Sequence, residues 1–220
     1  MCLSINKGGE NVFGFLRTII SILFLVIVAI IIRKKLIKKK FIYIIIIIGF
    51  FLSSGTVTVF PIENVFYSFD SPQAVFKYYV GKGEINNVIY GKNSCMIVYS
   101  EFTPGIPMNK SYNKMIIPIK GNKYILPFAY GMKTVYDCGR FTIYTLLNSK
   151  DYYIYAFDWS ENQTKEIHDN KGSKFIQIPI YTYVTDNNLK STFSQFYAFI
   201  DNFSKNYCLT INGENYYIDK

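Results

Sequence analysis

Two patterns of hydrophobic and polar positions divide this 220-residue chain near residue 60. Before that point the apolar residues run almost continuously. Phe41 to Phe60 is uncharged throughout and as a helix would be about 30 Å long, the thickness of a bilayer's hydrocarbon core. Upstream, the uncharged run from Thr18 to Ile32 is too short on its own. Extended back to Val12 it reaches about 31 Å and takes in Arg17, whose guanidinium can snorkel from near a helix end to the headgroups. The expectation is a transmembrane helical hairpin with spans over 12–32 and 41–60 and a connecting loop over 33–40.

From Pro61 onward the apolar positions break into short segments separated by turn residues. "SFDSPQAVFKYYV" predicts a helix, with Ser71 as cap, Pro72 at the first helical position and Val75 and Tyr79 one turn apart. "INNVIY" and "CMIVYS" enclose "GKNS", and "KMIIPIK" and "KYILP" enclose "GN", so two hairpins are expected. Pro118 places its strand at an edge or a bulge. "RFTIYTLL" and "DYYIYAFDW" alternate strongly around "NSK", and "KFIQIPIYTYVT" repeats the alternation, again with an edge-favouring proline. In "STFSQFYAFIDNF", Phe193, Phe196, Tyr197, Ile200 and Phe203 recur at helical spacing, which predicts an amphipathic helix. "YCLTINGENYYI" predicts a hairpin closed by Asn212-Gly213. The expected fold class is α+β: a membrane anchor over 1–60, then a mainly antiparallel β-sheet domain over 61–220 with one or two packing helices.

Charge sets the expected topology. Arg33, Lys34, Lys35, Lys38, Lys39 and Lys40 crowd the short loop between the two apolar runs. Positive residues in short loops are held on the cytoplasmic side. The N-terminus and residues 61–220 are then expected outside the plasma membrane, with the loop cations near the inner leaflet's headgroups. A second arrangement reads "KKKFIYIIIIIGFFLSSG" as a secretory signal cleaved near Gly55, which would release the domain. Either way the domain lies outside. The formal net charge of +9 also resolves by location: residues 1–60 carry eight cations and one anion, residues 61–220 sixteen and fourteen. The domain is close to neutral, so nucleic acid is not an expected partner.

Candidate chemistry is sparse. His168 is the only histidine and sits beside Glu166 and Asp169 in a polar stretch that reads as a solvated loop. No metal, cofactor or catalytic set is expected, and no phosphate-binding glycine motif occurs. Glu84, Glu101, Asp137 and Asp158 lie on or near strands and leave paired-carboxylate hydrolysis as an alternative. Cys95, Cys138 and Cys208 lack a C-x-x-C spacing; Cys95 and Cys208 read as small buried hydrophobes, with one disulfide an open alternative. The aromatic cluster in "DYYIYAFDWS" is expected to divide between two faces, leaving Tyr153, Tyr155 and Trp159 as candidate ligand contacts.

The two apolar runs, the basic loop and the helix "FDSPQAVFKYY" resemble the many uncharacterised two-span membrane-anchored proteins of low-GC Gram-positive bacteria, over residues 12–80. The resemblance implies a location and no activity. The expected function is a non-enzymatic, membrane-anchored binding module outside the cell, with the lipid bilayer and an envelope protein, peptide or glycan as partners. Its alternatives are an envelope hydrolase and a membrane subunit or self-protection protein acting through its spans.

Overall fold

The computed structural model describes residues 61–102, 110–128, 131–160, 166–184 and 190–218, and among the first sixty residues the positions 22–24, 26–31, 33, 34, 41, 43, 44, 46, 48 and 49. The expected spans over 12–32 and 41–60 and the loop residues Lys35, Lys38, Lys39 and Lys40 therefore fall partly or wholly outside the described residues. Among those described, no helix is long and apolar enough to cross a membrane, so they do not by themselves bear out two spans.

Beyond residue 60 the chain is sheet-dominated. A 3-10 turn at Ile62–Val65 precedes helix α1 (Pro72–Tyr79). The predicted cap is in place: the Ser71 hydroxyl accepts from the Ala74 amide at 3.1 Å, and Pro72 opens the helix. Among the described residues twelve strands follow: β1 (Glu84–Tyr90), β2 (Ser94–Phe102), β3 (Lys110–Lys120), β4 (Lys123–Tyr124), β5 (Met132–Asp137), β6 (Phe141–Leu146), β7 (Tyr152–Ser160), β8 (Ile167–Asp169), β9 (Ile176–Val184), β10 (Lys190–Ile200), β11 (Cys208–Ile211) and β12 (Glu214–Tyr217). They form three antiparallel sheets, in the orders β1-β2-β3-β4, β5-β6-β7-β10-β9 and β12-β11-β8.

Side-chain alternation stacks these elements in layers. On β2, Cys95 and Ile97 pack with Val75 and Phe76 of α1, while Met96 and Val98 turn the other way to meet Tyr153, Ile178 and Tyr197 of the five-stranded sheet. That sheet's opposite face, with Phe141, Ile143, Ile154, Ala156, Phe196, Ala198 and Ile200, packs on Leu209 and Ile211 of the small sheet. The order is helix, four strands, five strands, three strands. A strand in an inner layer is buried on both faces, which is why "CMIV" reads as a continuous apolar run.

The same burial explains one failed expectation. Residues 190–200 are strand β10, paired with β7 on one side and β9 on the other, not an amphipathic helix. Phe196 and Ala198 belong to one core and Tyr197 to the next, so apolar residues fall at i, i+3 and i+4 without any helical period. Among the described residues one helix, α1, packs on the sheets. The proline of β9 behaves as expected: β9 is an edge strand, and Gln195↔Ile178 followed by Phe193↔Tyr181 leaves Pro179 and Ile180 opposite the single residue Ser194, a β-bulge. Pro118 does not: β3 lies between β2 and β4 and pairs with Ser94 at Pro118 without a bulge, and the Ile125 amide donates to the Pro118 carbonyl at 3.2 Å. The proline fits because β4 pairs only with Ile119 and Lys120 and has ended opposite it, so no strand partner needs its missing N–H. The Asn212-Gly213 turn has φ of 53° and 84°, the left-handed pair that a two-residue hairpin needs.

Candidate functional site

Residues 153, 155 and 157 are two apart on β7, so their side chains share one face rather than dividing between two. That face is turned toward the four-stranded sheet. Tyr153 is completely buried there, with its hydroxyl 2.9 Å from Ser94 Oγ, and burial pushes its phenol well above the ordinary range. Tyr153 is therefore core and not an exposed contact. Tyr155 is half-buried. The Trp159 side chain lies outside the described residues; its backbone pairs with Phe193.

From Tyr153 the aromatic face continues along β7 and β10 toward a half-exposed border between the two sheets. Tyr155 pairs with Tyr197, ring centroids 5.0 Å apart, then Phe157 follows at 5.9 Å and Phe193 at a further 5.9 Å. The opposing sheet supplies Lys114 from β3, whose ammonium lies 4.4 Å from the Tyr155 ring centroid and 4.6 Å from that of Tyr144 on β6. Tyr112 stands two residues before Lys114, on the same face as the buried Ile116. Tyr197 donates its hydroxyl to Gln195 Oε1 at 3.2 Å. Burial, then the neighbouring phenols of Tyr155, Tyr144 and Tyr112, push the Tyr197 phenol well above its ordinary range. Tyr155 is pushed up to about 12, by burial and then by Tyr144. Four phenols, one carboxamide and one ammonium, drawn from both sheets, thus meet at this border. A phenol hydroxyl can both donate and accept, and Lys114 adds the charge.

The remaining candidates do not converge. His168 is exposed on the short strand β8 rather than in a loop, with Nδ1 4.0 Å from Glu166. Glu84 and Glu101 lie on neighbouring strands of the four-stranded sheet, while Asp137 and Asp158 belong to the five-stranded one. Asp158 accepts from Asn212 Nδ2 at 3.0 Å and faces Arg140 at 3.8 Å, which ties it to the small sheet's hairpin. Asp137 accepts from the Gly139 amide at 2.9 Å in a turn. Among the described residues no cluster of His, Cys, Asp and Glu could hold a metal ion. Cys95 is buried as expected, Cys208 is only partly buried and Cys138 is exposed; all three are free thiols. Arg33 and Lys34, the two described loop cations, are exposed.

Lys114, Tyr112, Tyr144, Tyr197 and Gln195 are absent from the sequence-based candidates. In a chain rich in Ile, Lys, Asn, Tyr and Phe, a lysine or tyrosine carries little weight by its presence alone. Register was the available signal: in "YNKMI", Tyr112, Lys114 and Ile116 share a face, so a lysine continues a core row. Compared with known proteins, the chain matches no family model, no curated protein and no solved structure.

Proposed function

We propose that this protein is a membrane-tethered binding module whose β-rich domain stands outside the plasma membrane and takes its ligand at the tyrosine-lined border between the two larger sheets. The convergence of Lys114, Tyr112, Tyr144 and Tyr155 from both sheets, over the buried ring of Tyr197, carries this reading. Flat aromatic faces, hydroxyls and one cation suit a partner that offers hydroxyl or carboxylate groups beside an apolar face, as an envelope glycan or peptide does. The tether rests on the uncharged runs and basic loop in the sequence. It is supported by the described helical positions before residue 50, where Ile22, Leu23, Val26, Ile27, Ile30, Ile44 and Ile48 are all about half exposed; so many exposed apolar side chains suit lipid better than water. A Cβ on Gly49 would overlap the Phe24 ring, so the two helical segments approach closely there.

The test is binding of the full-length protein, reconstituted in vesicles, to isolated cell-envelope fractions. Lys114→Met and Tyr155→Phe are expected to weaken retention at least tenfold with the thermal midpoint little changed. Unaltered retention in both variants would remove the site.

A further inference from the structure

We infer that Val65, Phe66 and Tyr67 form an interfacial foot that sits in the outer leaflet and fixes how the domain stands on the bilayer; the inference rests on the proposed tether. These three consecutive residues are 78%, 88% and 59% exposed, and Phe66 is among the most exposed large apolar side chains described. They begin five positions after Phe60, where the second uncharged run ends.

Their exposure is built in and does not come from a loose connection. Asn64 clamps the turn to the domain through both ends of its carboxamide: Nδ2 donates to the Leu126 carbonyl at 2.9 Å, and Oδ1 accepts from the Leu126 amide at 2.8 Å. The amides of Phe66 and Tyr67 donate to the Glu63 carbonyl at 3.0 and 2.7 Å. Two residues beyond Tyr67, Phe69 and Tyr124 exchange two backbone bonds, at 2.8 and 2.9 Å, and Lys123 pairs with Asp70. Phe69 itself is core. The segment is stitched on both sides of the three residues, so they are held outward on a short rigid turn.

A tyrosine and a phenylalanine at this place match the aromatic belt of membrane interfaces, where an amphipathic ring sits at headgroup level and an apolar one below it. The continuous path from the uncharged run to the turn leaves little length for the domain to move away from the surface. A second protein copy could also cover these side chains, but the adjacent uncharged run places lipid nearest to them.

The test uses tryptophan as a depth probe in the full-length chain. Trp159, the single native tryptophan, is replaced by phenylalanine, and Phe66→Trp or, as a control, Tyr217→Trp is introduced. Tyr217 is exposed on β12 of the outermost sheet. Each protein is placed in vesicles at low protein-to-lipid ratio, with lipids brominated on their acyl chains. The expected result is blue-shifted emission from residue 66, quenched by brominated lipid at least threefold more than emission from residue 217. Emission from residue 66 that bromolipid leaves untouched overturns the foot, whether water or another protein copy covers it. Alkaline carbonate extraction of the same vesicles reads the tether separately. Protein retained in the pellet without quenching at residue 66 keeps the tether and removes the foot. Protein extracted by carbonate but quenched at neutral pH keeps the foot and removes the tether.

Discussion

Asp151 and Ser94 join the two larger sheets through one buried hydrogen bond. The Ser94 hydroxyl, at the start of β2, donates to Asp151 Oδ2 just before β7, at 2.7 Å. The same carboxylate oxygen accepts from the Asn93 amide at 2.6 Å, and Ser94 Oγ also meets the Tyr153 hydroxyl. Ser94, Asp151 and Tyr153 are all at most 1% exposed. Apolar contacts between the facing sheets are non-directional; this knot sets the register of one sheet on the other.

Removing the acceptor takes a partner from the buried Ser94 hydroxyl, which keeps only Tyr153, and from the amide of the exposed Asn93. Asp151→Ala is expected to destabilise the domain by about 1–3 kcal/mol, the cost of leaving a buried hydrogen-bonding group under-satisfied. Asp151→Asn can place its amide oxygen where Oδ2 stood and keep both bonds in weaker, uncharged form, at a cost of about 1 kcal/mol. Urea unfolding of the three proteins measures both steps. Equal loss in the two variants would show that the charge, not the bonding, holds the knot.

Gly91 is required beside this knot for space. A Cβ there would stand 2.6 Å from the Tyr153 hydroxyl and 2.7 Å from Asp151 Oδ2. Neither group can retreat without breaking a buried bond. Gly91→Ala is expected to cost about 1–3 kcal/mol, the usual range for overpacking, and its effect should shrink sharply in an Asp151→Ala background. A double-mutant cycle on denaturation midpoints checks the coupling.

How much of this was legible follows from which interactions are local. Capping by Ser71 and Pro72, the Asn212-Gly213 turn and the edge position of the strand holding Pro179 are marked by local residues, and each stands where the sequence indicated. Strand β10 was not legible as a strand, because burial on two faces erases the alternation that marks a half-buried one. The site was partly legible. Tyr155 was singled out from its own strand, but Lys114 reaches it from a different sheet, 41 positions earlier in the chain. No local pattern records that meeting. Tyr153 was misjudged for the same reason: only the arrival of Ser94 and Met96 from the opposing sheet makes its face an interior.

The three described cysteines should differ in reactivity in the order of their exposure. Cys138 is exposed, Cys208 is partly buried and Cys95 is completely buried, where burial pushes its thiol up to about 12. A buried, protonated thiol is a poor nucleophile. Iodoacetamide at mildly alkaline pH is expected to alkylate Cys138 first and Cys208 more slowly, with Cys95 reacting only in denaturant. Peptide mass mapping over time would read this order, and early labelling of Cys95 would contradict its place under α1.

High pH should unfold this domain cooperatively, and the tyrosines should report it. In the folded chain Cys95 holds its proton up to about 12, against 9.0 for an ordinary thiol. Tyr155 and Tyr99 hold theirs to about 12, against 10.0, chiefly through burial, with the Glu101 charge adding to the effect on Tyr99. Tyr153, Tyr197 and Tyr207 are pushed further in the same direction, again chiefly by burial, with the Asp169 carboxylate also raising Tyr207. The unfolded chain releases these protons from about pH 9 upward, so across this window the folded state binds more protons than the unfolded one. Stability is therefore fully present below about pH 9 and falls as pH rises toward 12 and above. The decline should be steep, because several groups release their protons only on unfolding. Absorbance at 295 nm and far-ultraviolet circular dichroism, followed together against pH, are expected to show an early gradual tyrosinate rise from phenols that water already reaches. A second rise should then coincide with loss of β-structure. Complete tyrosine ionisation with the sheets intact would mean that the inner phenols are reached by water without unfolding, and the layered packing described above would have to be looser than these contacts allow.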